Sequence, residues 1–340
     1  IISSIVAILG LIYAEKILVR YGIYKMMFVG IIINFLLTIT LAISKNLLLI
    51  LPAFIFGQLF VRILLFNLDV LLEKNTNERQ TGKIRGIFLT ITNIAVVISP
   101  FISGSIIENG DYKNVYLLSS IILIPILFLL FYKFRKYNKI DYIRHPIGAS
   151  ISKILRRPDL VRIFSSNLLL RTFYAFMVIY SPIYLHETMG FSWEELGIVF
   201  TIMLLPFILF ELPLGKLADT RFGEKEMLSI GFIITGLSTA SIFFMQSQSL
   251  LLWVILLFIT RTGASIIEIM TETYFFKKVS PDDSDIISTY RMVDPVGYII
   301  GPIIGTLILS ITNDTRFIFL VLGMLLILGL RFSMSLRDTL

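Results

Sequence analysis

The feature that most limits what this chain can fold into is the length of its apolar blocks. They run near residues 1–13, 26–43, 47–70, 86–107, 115–132, 163–185, 196–214, 227–245, 250–272, 286–311 and 317–334. All but the first reach roughly 18 residues or more, enough to cross about 30 Å of hydrocarbon, and inside lipid only a helix or a closed barrel pairs its whole backbone. The blocks are too long for barrel strands, so the expectation is an all-α polytopic membrane protein. With 56% hydrophobic and 16% charged residues, the chain has too little polar surface to hide such blocks in water. The first block has no basic stretch before it and no small-residue cleavage site after it, which argues against a signal peptide.

The loops fix the orientation. Assigning them alternately to two sides puts Lys16, Arg20, Lys25, Lys74, Arg79, Lys83, Arg85, the basic 133–162 connection, Lys216, Arg221, Lys225, Lys277, Lys278 and Arg337 on one side. The other side carries only Lys45, Lys113 and Arg316. Lys and Arg concentrate in cytoplasmic loops, so the richer side is expected to be cytoplasmic, with the C-terminus inside. The formal charge of +7 is therefore a topology signal and not a sign of nucleic-acid binding. The 133–162 connection holds Pro146 and Pro158 and reads as a linker; within it "ISKILRR" suits a short interfacial helix.

The two halves carry the same pattern. Arg62, Asp69 and Glu73 in "VRILLFNLDVLLE" have the spacing of Arg261, Glu268 and Glu272 in "TRTGASIIEIMTE", at an offset of 199. "RYG" ending at Gly22 matches "RFG" ending at Gly223 at 201, and "SPFIS" at 99–103 matches "GPIIG" at 301–305 at 202. Three matches in order, with charges aligned, point to duplication of one helical unit. The pairing joins spans one to five with spans seven to eleven and leaves span six, 163–185, without a mate. The expectation is two six-helix bundles of which this sequence holds about 11 of 12 helices, the first being outside it: an N-terminal bundle over 1–132, a linker over 133–162 and a C-terminal bundle over 163–340.

"GKLADTRFGEK", residues 215–225, closely resembles the loop between the second and third helices of each bundle in the major facilitator superfamily, roughly G-x-L-A-D-R-x-G-R-K. Gly215, Leu217, Ala218, Asp219, Gly223 and Lys225 fit, while Thr220 and Glu224 stand where that pattern is basic. The first copy, "AEKILVRYGIYK", keeps Arg20, Gly22 and Lys25 but has Ala14 and Leu18 in place of Gly and Asp. Arg62 resembles the membrane-embedded Arg of the family's fourth helix. "GYIIGPIIG", with Gly297, Gly301, Pro302 and Gly305, resembles its G-x-x-x-G-P-x-x-G motif, read here as a bending and helix-packing element. The resemblance implies a secondary transporter with pseudo-symmetric bundles around a central site, and a cytoplasmic gate at Gly215, Asp219, Arg221, Gly223, Lys225, Arg20 and Gly22.

Arg62, Arg171 and Arg261 lie deep within their spans, where an unpaired charge costs about 2.5–3.5 kcal/mol on insertion scales. They should face a cavity or a partner. Asp69 and Glu268 read either as gate residues pairing with Arg20 and Arg221, or as proton carriers. Arg171, followed by Tyr174, is left between an anionic substrate group and an acid outside this sequence; Arg291 and Asp294 are expected to neutralise each other. Asn93 is an interhelical hydrogen-bonding candidate.

Cysteine is absent and the two histidines lie in different loops, so no metal site is expected, and no phosphate loop or nucleophile–base pair implies a cofactor or catalysis. The expected function is secondary active transport of a small solute by alternating access, coupled to protons, by a monomer in the plasma or inner membrane. Two rivals stand beside it: an integral-membrane enzyme acting on lipid, and a transporter-like sensor without flux.

Overall fold

The computed structural model describes residues 1–74, 81–107, 112–135, 147–210, 213–214, 223–279 and 284–337. Among them every regular element is helical: α1 (Ile2–Tyr21), α2 (Ile23–Ile43), α3 (Leu47–Lys74), α4 (Thr81–Ile106), α5 (Lys113–Leu129), α6 (Ile147–Leu155), α7 (Pro158–Ile183), α8 (Trp193–Leu209), α9 (Gly223–Ser241), α10 (Leu250–Lys278), α11 (Ser284–Arg291), α12 (Val293–Thr312), α13 (Arg316–Leu328) and α14 (Leu330–Ser333). Each expected apolar block coincides with a helix, and eight helical spans are long and apolar enough to cross a membrane. Large apolar side chains such as Leu48 and Ile311 stand 80% exposed on the helix surfaces, as a lipid-facing surface requires and an aqueous one does not tolerate in quantity.

The expected span at 317–334 is interrupted briefly at Gly329, between α13 and α14, and that at 286–311 more fully. The block at 286–311 is divided between α11 and α12 at Met292. Pro295 supplies the cause: it has no N–H for the Arg291 carbonyl and its ring crowds that carbonyl, and here the strain is relieved by ending one helix and starting the next with Pro295 in its first turn, where the missing donor is not needed.

The residues fall into two compact units, Ile1–Thr92 with Ser105–Arg144, and Asn93–Gly104 with His145–Leu340. In the first unit α3 packs on α1 and α2, and α5 on α2. In the second, α10 packs on α8 and α9, and α13 on α9. These are the same three pairings under the register that the sequence repeat sets, α1 with α8, α2 with α9, α3 with α10 and α5 with α13. The duplication is therefore carried by tertiary packing as well as by charge spacing. The second unit adds α7, which packs against α10 and α12. Residues of α4 grouped with the second unit meet α8 closely: a Cβ on Gly104 would lie 2.8 Å from the Gly197 Cα, so only two glycines allow that approach.

Candidate functional site

The second unit gathers charge where α7, α10 and α12 meet. Gly297, Gly301 and Gly305 recur every four residues and so share one face of α12. A Cβ on Gly297 would lie 2.7 Å from the backbone carbon of Arg171, and one on Gly301 2.9 Å from the Ala175 Cβ. The glycine face thus lets the α12 backbone lie directly on α7. Tyr180 donates its hydroxyl to the Pro302 carbonyl at 3.4 Å, a weak supplement to a contact made chiefly by small residues.

That approach delivers Asp294, one helical turn before Gly297, to Arg171. The Arg171 guanidinium lies 4.0 Å from Asp294 and 3.0 Å from Glu268 of α10, and its Nε donates to Asn167 at 3.2 Å. Tyr174, one turn along α7 from Arg171, donates its hydroxyl to the other oxygen of Glu268 at 2.7 Å. Glu268 is thereby held by a cation and a phenol from the same helix. The side chains of Arg171, Glu268 and Asp294 keep 16%, 23% and 28% of their surface accessible, so the triad lines a half-open face.

Arg261 sits beside this triad in a different environment. It is 2% exposed, and its guanidinium lies over the rings of Phe173 and Tyr174 at 5.0 and 5.6 Å. Among the described residues it has no ion-paired or hydrogen-bonded partner, and its Nε is buried without one. Ring faces attract a cation by about 0.5–2 kcal/mol, less than the cost of a deep unpaired charge. The Tyr174 ring is shared: Arg171 stacks over it at 5.5 Å.

At the end of α10 nearer Lys278, Arg291 donates to Glu272 at 3.0 Å, and Lys277 pairs with Glu224, which is buried at the start of α9. Gly223 precedes that acid with φ 71°, and Gly22 between α1 and α2 has φ 80°. The third gly of this kind, Gly190, follows α7. The two glycines that the sequence repeat aligns therefore both adopt the left-handed backbone that favours glycine, each at the entry to the helix that follows.

Not every expected site residue joins the α7–α10–α12 cluster. Arg171, Tyr174, Glu268 and Arg261 meet there. Arg62 on α3 of the first unit and Asn93 on α4 are half-buried, and Arg20 is exposed, its guanidinium 5.4 Å from the Tyr21 ring centre. Lys225 is half-buried on α9. Gly215, Asp219 and Arg221, and the side chain of Asp69, lie outside the described residues. Arg171 finds its acids within the chain, on α10 and α12, whereas the sequence left them open. Asp294 escaped that reading because a neighbour in sequence, Arg291, offered a simpler partner. Depth was the usable signal: Arg171 lies ~20 Å from the start of α7 and Glu268 ~15 Å from the end of α10, at 1.5 Å per residue. Among the described residues no three His, Asp or Glu side chains converge as a metal site.

Residues 1–198 and, overlapping them, 163–338 match the family model described as Major Facilitator Superfamily. No curated protein matches the chain.

Proposed function

The chain belongs to the Major Facilitator Superfamily and is a multi-pass membrane transporter, and we propose that it works as a secondary carrier, moving a small solute across the cell's plasma or inner membrane by alternating access with proton coupling. The observation that supports this reading is Glu268, a carboxylate deep in α10 held at once by Arg171 and Tyr174 of α7. Ionised, it ties α7 to α10. Protonated, it loses its attraction for Arg171, which retains Asp294 on α12. A proton at this one position therefore weakens the tie of α7 to α10 and leaves that to α12, the differential interaction that a ligand-driven conformational change requires.

The half-open triad supplies the second requirement, access. A coupling carboxylate must exchange protons with water in at least one state, and Glu268 keeps a share of its surface accessible. Gly22 and Gly223 turn the chain tightly at repeated positions, which suits the gate loops that the family resemblance assigns to these segments.

Reconstitution into liposomes with an acidic exterior tests the reading. A panel of sugars, amino acids, carboxylates and lipophilic cations is offered; at least one is expected to accumulate, and to stop doing so when the pH gradient is collapsed. Formation of a lipid product without flux supports an enzyme, and solute binding without flux supports a sensor; either result overturns the carrier proposal.

A further inference from the structure

Four ionisable groups meet between α7, α10 and α12: Arg171, Arg261, Glu268 and Asp294. Arg171 shares the two acids, while Arg261 is enclosed over two aromatic rings, with Glu268 in electrostatic reach but no hydrogen-bonded or ion-paired partner among the described residues. A guanidinium is a rigid fork of donors suited to an oxyanion, and a buried polar side chain is ordinarily hydrogen-bonded. Arg261 thus presents a recognition group that the fold itself leaves unused among the described residues. Phe173 and Tyr174 wall it, and the Tyr174 ring leads from Arg261 to the half-open face at Arg171.

We infer that Arg261 is the docking group for an oxyanion, a carboxylate or phosphate, carried by the transported solute, with the solute body lying against Tyr174. This deepens the carrier reading and rests on it for the word transported. The charges then follow. With all four groups ionised the cluster is neutral, so an added monoanion leaves it one charge negative. A proton on Glu268 restores neutrality, and a neutral loaded site is the cheaper one to move through a low-dielectric span. The solute anion and the proton are accordingly taken up together. Glu268 faces Arg171 and Tyr174 from α7 and has Arg261, two turns earlier on its own helix, in electrostatic reach; Asp294 of α12 reaches it through Arg171, and among the described residues α8 and α9 place no titratable group within hydrogen-bond reach of it.

The test uses the purified full chain in lipid nanodiscs, with thermal unfolding as the readout and benzoate, acetate and inorganic phosphate as probes. Benzamide is the neutral control. The carboxylates or phosphate should raise the unfolding temperature and benzamide should not; which of them does separates the two oxyanion sources. Arg261→Met should weaken that effect about tenfold to a hundredfold in apparent Kd, while unfolding at a higher temperature than the parent in the absence of anion. Glu268→Gln should keep anion binding or tighten it. Three results overturn the inference: no oxyanion stabilises the parent, Arg261→Met binds as the parent does, or Arg261→Met is the less stable protein and Arg261→Lys restores stability without restoring anion binding. Anion binding lost in Arg261→Met, with no flux of that anion in liposomes, leaves the site standing and removes the carrier reading. Flux of an anion that survives Arg261→Met does the reverse.

Discussion

Arg171 of α7 and Glu268 of α10 form an ion pair at 3.0 Å in the interior of two membrane-spanning helices, closed on its other side by the Tyr174 hydroxyl. Neither helix could carry its own charge cheaply through lipid; together they neutralise each other and fix the register between α7 and α10. Breaking the pair from one side should cost more than removing both halves. Arg171→Gln is expected to lower stability by about 1–3 kcal/mol, at or below the range for a broken buried pair because both side chains remain partly accessible. A double-mutant cycle with Glu268→Gln, followed by denaturant or thermal unfolding, should return a coupling energy of about 1–3 kcal/mol.

The glycine face of α12 makes a graded prediction. At Gly297 an added methyl meets the Arg171 backbone, which cannot swing away, and at Gly301 it meets the Ala175 Cβ; at Gly305 it meets the end of the Tyr180 ring, which can rotate. Gly297→Ala should therefore cost about 1–3 kcal/mol by overpacking, and Gly305→Ala the least of the three. Thermal unfolding of the three variants checks the order. Gly297→Ala should also disturb transport, because the same displacement moves Asp294 away from Arg171.

Backbone conformation gives a third. Gly22 has φ 80° and ψ 162°, a region occupied almost only by glycine. Ala and Asn should both be unfavourable there, by about 1–3 kcal/mol, since Asn relieves only the ordinary left-handed helical region. Equal losses of unfolding free energy for Gly22→Ala and Gly22→Asn are the expected outcome.

The loop between α12 and α13 responds to acid in a defined direction. Arg316 donates from its side chain to both oxygens of Asp314 at 2.7–3.1 Å, and its backbone N–H adds a bond at 2.9 Å. The side-chain bonds from Arg316 hold the Asp314 carboxyl below its ordinary value. A group made more acidic by folding contributes fully above its unfolded value, about pH 4, and loses that contribution as pH falls through the lower folded value. Arg316→Gln should move the Asp314 titration upward, read by carboxyl-carbon NMR against an Asp314→Asn control.

How far the sequence could be read follows from what lipid demands of it. Blocks such as 250–272 announce a spanning helix because no other structure of that length closes its backbone in hydrocarbon. The repeat survives because Arg62 and Arg261, with their acids, keep a spacing that apolar drift cannot mimic. Helix ends were less legible: α10 continues to Lys278, since backbone pairing persists where apolarity stops. The break at Met292 was visible only in Pro295, which tolerates either a kink or an end. Site chemistry was the least legible. Arg171, Glu268 and Asp294 lie on three helices, and their meeting depends on the close approach that Gly297 allows. Spacing within one helix carries no trace of that.

The central claim is that a proton on Glu268 is coupled to solute movement, and Glu268→Gln in proteoliposomes tests it most directly. The solute that the parent protein accumulates is measured twice, as net uptake driven by a pH gradient and as exchange against the same solute inside without a gradient. The account predicts that Glu268→Gln loses gradient-driven accumulation and keeps exchange. Accumulation at the parent rate, or loss of exchange along with it in a variant that unfolds at the parent temperature, would contradict it.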